Sequence, residues 1–231
     1  MFVIVPLCDV PSREKSDRVS PLQMLLNLIS DVASFTREKE LDCLSYGWFR
    51  SAGDTDSVPH HWIRGLEVYK FPEANRKIHR AGKAYQAFRE GAVAEALLNG
   101  YPDVRFWSPI AGFMTRAPVD FESKSQRASP WYIGIQDLVP RNGSRSRLLE
   151  VLHSVAKVAE TSPGVESFWV LERSDKEDGD DLILFSAFVS KAKFDTFVFS
   201  EQAAAWNAVR ELCQNTTTTT WLGSGIGFVG R

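Results

Sequence analysis

His79 is the side chain best suited to move a proton near neutral pH, because an unperturbed imidazole titrates at about 6.5. Ten residues before it lies Glu67-Val-Tyr69, and before that Trp62-Ile-Arg64. On an extended backbone Glu67 and Tyr69 share one face, while Trp62, Arg64 and Leu66 share the other. A tyrosine hydroxyl or a guanidinium beside a base stabilises the phenolate or enolate that deprotonation creates. His79, Tyr69 and Arg64 are therefore the expected catalytic groups. A flat apolar substrate would need aromatic walls, and Tyr46, Trp48, Tyr85 and Trp107 are available. Glu67 and Trp62 join them as expected substrate contacts. His60 and His61 end the 53–59 loop, where the rim of a pocket would lie.

Other chemistries find little support. His60 and His61 are adjacent, and neighbouring side chains on an extended chain diverge, so they make no chelating pair. The acidic run from Ser174 to Asp181 lacks calcium-loop spacing and reads as a solvated hairpin turn. Gly225-Ile-Gly227-Phe-Val-Gly230 fits the dinucleotide pattern formally, yet no helix follows it to receive a pyrophosphate. Glycines there fit better a closing strand that bends or passes close to another backbone. No P-loop and no G-x-S-x-G elbow occur, so no metal, flavin or nicotinamide cofactor is expected. With 27 basic and 29 acidic side chains the net charge is −2, without the basic excess of a nucleic-acid binder. No apolar run approaches the ~20 residues of a membrane helix. The first residues lack the charged and apolar stretches of a signal peptide. Three separated cysteines, Cys8, Cys43 and Cys213, read as reduced thiols of a cytoplasmic protein.

The elements that must position these groups repeat. Phe2–Pro6 reads as a strand. Ser20-Pro21 is an N-cap followed by proline at the first helical position. Leu22, Leu25, Leu26, Ile29, Val32 and Ala33 keep helical spacing. Strands are expected at Asp42–Phe49 and Trp62–Tyr69, a helical region at Ala74–Leu98 broken near Gly82, and a strand at Arg105–Phe113. Residues 117–129, polar and aperiodic, read as a linker. Beyond it come a strand at Trp131–Leu138, a helix carrying Leu148, Leu152, Val155 and Ala159, and strands at Val165–Leu171 and Leu182–Phe188. A helical stretch over Lys191–Leu212 and a strand over Thr217–Val229 complete the order β-α-β-β-α-β for a second time. The fold class is α+β: two ferredoxin-like units, 1–116 and 130–231, packed sheet to sheet as an intramolecular barrel. Thirteen linker residues extend to ~43–47 Å, enough to cross between units.

Superposing the repeats sets Asp42–Tyr46 on Gly164–Phe168. Ala74, His79, Gly82 and Phe88 fall on Ala192, Phe197, Ser200 and Trp206, with the same spacings of five, three and six. The same positions resemble the antibiotic-biosynthesis-monooxygenase (ABM) family of dimeric α+β barrels. That family shows E-x-G-C-L-x-Y on its second strand, E-x-Y closing the third, and A-x-x-x-H-x-x-S-x-H-x-x-x-F on the helices that follow. Here the counterparts are Thr161–Phe168 and, more loosely, Leu41–Tyr46, then Glu67-Val-Tyr69, Ala74, His79, Gly82 and Phe88. The family's second histidine is Ala84, and the stretch from Tyr69 to His79 is about one residue long for the pattern.

The resemblance implies a polar pocket at His79 and an enzyme that deprotonates a hydrophobic aromatic or polyketide-like molecule of secondary metabolism. The resulting anion would react directly with O₂. The alternatives are ring closure, dehydration or isomerisation from the same anion, and a non-catalytic binding barrel with a filled interior and an exposed His79. The expected assembly is a monomeric pseudo-dimer or a weak homodimer. Its second half would be scaffold, because Phe197 replaces His79 and the residues aligned with Arg64, Glu67 and Tyr69 are Leu182, Phe185 and Ala187.

Overall fold

Alternation along the strands decides the layers of this fold. The computed structural model describes residues 1–12, 19–54, 58–122, 131–175 and 179–230. The first half runs β1 (Phe2–Ile4), β2 (Leu7–Cys8), α1 (Pro21–Lys39), β3 (Cys43–Ser51), β4 (Ile63–Tyr69), a π-helical segment (Ala74–His79), α2 (Lys83–Ala94) and β5 (Phe106–Phe113). The short β6 (Val119–Asp120) follows. The second half runs β7 (Tyr132–Pro140), α3 (Arg145–Thr161), β8 (Val165–Arg173), β9 (Leu182–Phe188), α4 (Lys191–Thr196), a π-helical segment (Phe197–Glu201), α5 (Ala203–Leu212) and β10 (Cys213–Val229). The expected cap is present, with Ser20 Oγ accepting from the Gln23 N–H at 3.2 Å. Gly82 separates the π-helical segment from α2, as the break near that glycine required.

Eight strands close into one antiparallel ring in the order β1-β5-β8-β9-β7-β10-β3-β4, with β4 returning to β1. A closed barrel is the expected architecture, and its strands are hydrogen-bonded edge to edge into one continuous ring. The last strand of each half crosses to the other half. β5 pairs with β1 and then with β8, and β10 pairs with β7 over Cys213–Leu222 and with β3 over Trp221–Val229. Each crossing strand hydrogen-bonds a row of backbone groups that would otherwise be an open edge. Inside the ring lie Val3, Val5, Phe49, Leu66, Val68, Trp107, Ile133, Ile135, Trp169, Phe185 and Trp221. Outside it, α1 and α2 cover one apolar cluster and α3 and α5 another.

Two glycines permit the crossings. Gly112 on β5 and Gly227 on β10 have φ of +91° and +89°, and an added Cβ would lie 1.8 Å from the Phe168 carbonyl oxygen and 1.7 Å from that of Tyr46. Only glycine adopts that backbone without strain and allows so close an approach. This is the part played by Gly227 in its formal dinucleotide motif. Residues 117–122 also differ from a plain linker: β6 pairs with β10, and Arg37 reaches Asp120 and Glu122 at 2.9 and 3.1 Å. The rest of the expected linker, 123–129, lies outside the described residues, as do residues 55–57 and 176–178 of the two loops. Among the described residues no helix is long and apolar enough to cross a membrane.

Candidate functional site

β4 carries two alternating sets of side chains that end in different places. Ile63, Glu67 and Tyr69 face the helices, whereas Arg64, Leu66 and Val68 face the barrel interior. On the helix side β1, β3 and β4 form the floor of a cavity of about 530 Å³. Ile4, Pro6, Cys8, Tyr46, Trp48 and Glu67 line the floor; Asn75, Arg80, Tyr85, Phe88, Arg89, Ala92 and Val93 line the roof. The 96–104 stretch closes one side through Leu98, Tyr101, Pro102 and Val104. Its volume lies in the range of small-molecule sites.

Glu67 is the ionisable group on the floor of this cavity. It is 7% exposed and accepts a hydrogen bond from the Tyr69 hydroxyl at 2.9 Å. Burial raises its pKa above the ordinary carboxylate value, more than His79, the Tyr69 hydroxyl and Arg80 together lower it. The phenols of Tyr46 and Tyr69 are held well above their ordinary value, first by burial and then by the Glu67 charge. The thiol of Cys8 is pushed up to about 12 by the same two causes, so it stays protonated.

His79 sits one layer behind the cavity wall. It is fully buried and is ringed by Tyr85, Tyr46 and Tyr69, with centroids 4.9, 5.3 and 5.6 Å away. Its Nδ1 lies 2.8 Å from Glu40 Oε2 and 3.5 Å from Thr36 Oγ1, and its buried Nε2 has no hydrogen-bond partner among the described residues. The expected exposed histidine of a filled barrel is not what the structure holds, nor does the imidazole reach the cavity surface.

The structure thus gathers Tyr46, Trp48, Tyr85 and Glu67 around one space, with Tyr69 and His79 behind them. It places the remaining expected residues elsewhere, and strand alternation is the reason. Arg64 is 2% exposed inside the barrel mouth, 3.9 Å from Asp137, with its pKa lowered by burial. Trp107 points inward between the guanidinium groups of Arg105 and Arg173, 5.2 and 5.3 Å from its ring. Trp62 packs against the interior cluster. His60 and His61 stack edge to face at 5.0 Å on a turn away from the cavity. Sequence reasoning missed Cys8, Asn75, Arg80 and Arg89. Cys8 was accessible through its alternation with Ile4 and Pro6; the others lie on a helical face the ABM pattern does not mark. Among the described residues no cluster of metal-binding side chains occurs.

The second half repeats the ring cluster with phenylalanines in place of His79, Tyr46 and Tyr69. Phe197 contacts Phe168 at 5.9 Å and Phe188 at 5.7 Å, as His79 contacts Tyr46 and Tyr69. The ladders set Cys43 opposite Tyr69 and Val165 opposite Phe188. The counterparts of Arg64, Glu67 and Tyr69 are therefore Ile183, Ser186 and Phe188, one residue later than the sequence superposition placed them. A bulge after Cys43, matched after Val165, is included in this register. A smaller cavity of about 290 Å³ lies beneath α4 and α5.

With this geometry established, comparison of the chain with known proteins is informative. No protein-family model and no curated protein sequence matches it. Solved structures do. A protein of Fusobacterium nucleatum described as a candidate monooxygenase aligns over 100% of this chain and 94% of its own, with a TM-score of 0.75 and 10% identity. The two proteins share one fold. A similarly described Lactobacillus acidophilus protein aligns over 100% and 98%, with a TM-score of 0.69 and 11% identity. An anthrone oxidase-like protein aligns over 100% and 94%, with a TM-score of 0.60 and 13% identity. These likenesses extend over the whole barrel and, at 10 to 13% identity, are likenesses of fold.

Proposed function

We propose that this protein is a small-molecule oxygenase of the ABM kind, with Glu67 as the base. The observation that carries the proposal is a nearly buried carboxylate, raised in pKa, on the floor of a cavity walled by Tyr46, Trp48, Tyr85 and Phe88. A carboxylate of elevated basicity in an apolar site removes a proton from a weak carbon or phenolic acid more readily than an ordinary one. Tyr69 donates to Glu67 and fixes its orientation; His79, anchored by Glu40, supports both from behind. Relative to the sequence expectation, Glu67 takes the place of His79 at the substrate, and His79 becomes a positioning residue.

A substrate methylene that loses a proton to Glu67 leaves a ring-stabilised carbanion. The carbanion passes one electron to O₂, and the two radicals combine to a hydroperoxide once Glu67 returns the proton. Loss of water from the hydroperoxide gives a ketone, so that R₂CH₂ and O₂ become R₂C=O and H₂O. Every electron comes from the substrate, so the reaction needs no added flavin, nicotinamide or metal ion. The naming of one fold neighbour as anthrone oxidase-like supports a multi-ring methylene substrate. We also read the chain as two fused ferredoxin-like units, 1–116 and 130–231, and as a cytoplasmic protein that is a monomeric pseudo-dimer or a weak homodimer. The matched rings around His79 and Phe197 support the fusion.

The test is oxygen consumption by the purified chain with anthrone, beside Glu67→Gln and Glu67→Asp. Uptake that disappears in Glu67→Gln, and survives in part in Glu67→Asp, is the expected result. Full uptake in Glu67→Gln removes Glu67 from the reaction, and product formed without oxygen uptake replaces oxygenation with cyclisation or isomerisation.

A further inference from the structure

We infer that the ligand of this cavity carries an anionic group at the cavity mouth, held by Arg80 and Arg89. The inference rests on the reading of the cavity as a site for a flat apolar molecule, and it adds the charge that the molecule bears.

Arg80 and Arg89 both line the cavity, and both are exposed, which places them at its mouth. Neither forms an ion pair among the described residues, whereas Arg37, Arg64, Arg105, Arg145 and Arg173 all do. Glu67 is the single acidic side chain in the described lining, and it is nearly buried, whereas both arginines are exposed. Residues 74–94, which roof the cavity, carry Arg76, Lys77, Arg80, Lys83 and Arg89 against Glu90 alone. That local excess stands out in a chain of net charge −2.

The lining therefore combines a nearly buried carboxylate, apolar side chains such as Ile4, Phe88 and Leu98, and two exposed guanidinium groups that form no ion pair among the described residues. A neutral ligand would leave both guanidinium groups in water. A ligand with a terminal oxyanion gains charge-assisted hydrogen bonds from them and is held with its apolar body inward. The charge also sets the direction of entry, because the mouth attracts the anionic end while Glu67 repels it. A carboxylate and a phosphate ester share this chemistry.

The probes are 2-naphthol, 2-naphthoate and 2-naphthyl phosphate, titrated calorimetrically into the full chain and into Arg80→Gln, Arg89→Gln and the double variant. Both arginines are exposed, so the variants fold, and circular dichroism checks this. The anionic probes are expected to bind more tightly than naphthol. Each substitution should weaken them by roughly five-fold, the scale of an exposed ion pair, without affecting naphthol. Added salt should weaken the anionic probes alone. The tighter of naphthoate and naphthyl phosphate identifies the source of the oxyanion. Equal binding of all three probes, or equal weakening of all three in the variants, overturns the inference and leaves the aromatic cavity standing. Failure of every probe to bind overturns the aromatic reading itself, and this inference with it.

Discussion

Phe197→His would place the first half's imidazole in the second half's setting. Phe197 is 2% exposed and packs between Phe168 and Phe188. In the first half, Glu40 and Thr36 face His79 Nδ1 from the end of α1. The matching positions at the end of α3 are Ser162 and Val158, and Ser162 Oγ already donates to the Val158 carbonyl at 2.9 Å. The new imidazole would therefore lack a carboxylate partner. A buried polar nitrogen left unpaired costs about 1–3 kcal/mol, and the smaller apolar ring surface about 1 kcal/mol more. The expected loss is about 2–4 kcal/mol at about pH 8, where the imidazole is neutral. Burial holds the imidazole pKa below the unfolded value of about 6.5, so the unfolded chain binds more protons. Stability then falls further on acidification below about 6.5, by up to about 1.4 kcal/mol per pH unit beyond the wild type. Urea unfolding followed by circular dichroism at about pH 8 and about pH 5.5 measures both effects. A variant within about 0.5 kcal/mol of the wild type at both values would refute the argument that His79 depends on its polar anchors.

Glu67→Gln should stabilise the fold near neutral pH. The raised carboxyl binds more protons folded than unfolded, so its contribution is lost as pH rises from the ordinary 4.5 through the folded value. The advantage of the variant should vanish in acid, and a pH-independent difference in unfolding free energy would contradict it. Gly227→Ala places a methyl group against the Tyr46 carbonyl at a positive φ and should cost at least about 2–4 kcal/mol by urea denaturation. A neutral result would mean that the crossing of β10 does not need that glycine. The Cys8 thiol, buried and raised to about 12, should resist iodoacetamide in the folded chain and react on unfolding. Rapid modification of Cys8 in the native protein would contradict its burial.

Local signals in the sequence were enough for most elements. The period-2 run Leu182–Phe188 and the Ser20-Pro21 start of α1 are where alternation and capping put them, because both depend on neighbours a few residues apart. The matched spacing of His79 and Phe197 also located one ring cluster in each half. Contacts between distant segments were not legible. Nothing in Thr217–Val229 announces that its far end pairs with Ser45–Ser51, and Glu40 beneath His79 comes from a helix end 39 residues earlier. Alternation does assign Trp107 and Arg64 to a face, but which face is interior depends on how the ring closes. The one-residue offset at Glu67 arises in the connection after the strand, which is one residue longer from Tyr69 to His79 than from Phe188 to Phe197, so a superposition anchored on the helices slips on the strand.

The crossing strands also govern the time course of folding. β10 is the last strand of the ring, and its partners on β3 lie more than 150 residues earlier. The ring therefore stays open until β10 has been synthesised, even when α1, β3 and β4 have already formed. Contacts of such sequence separation carry a large loop-closure entropy before they return any stability, which places folding in the millisecond-to-second range or slower. During that interval the strand flanks of β3 and β7 are exposed together with interior side chains such as Phe49 and Ile133. A nascent chain of this design depends on shielding for longer than a helical bundle of equal length.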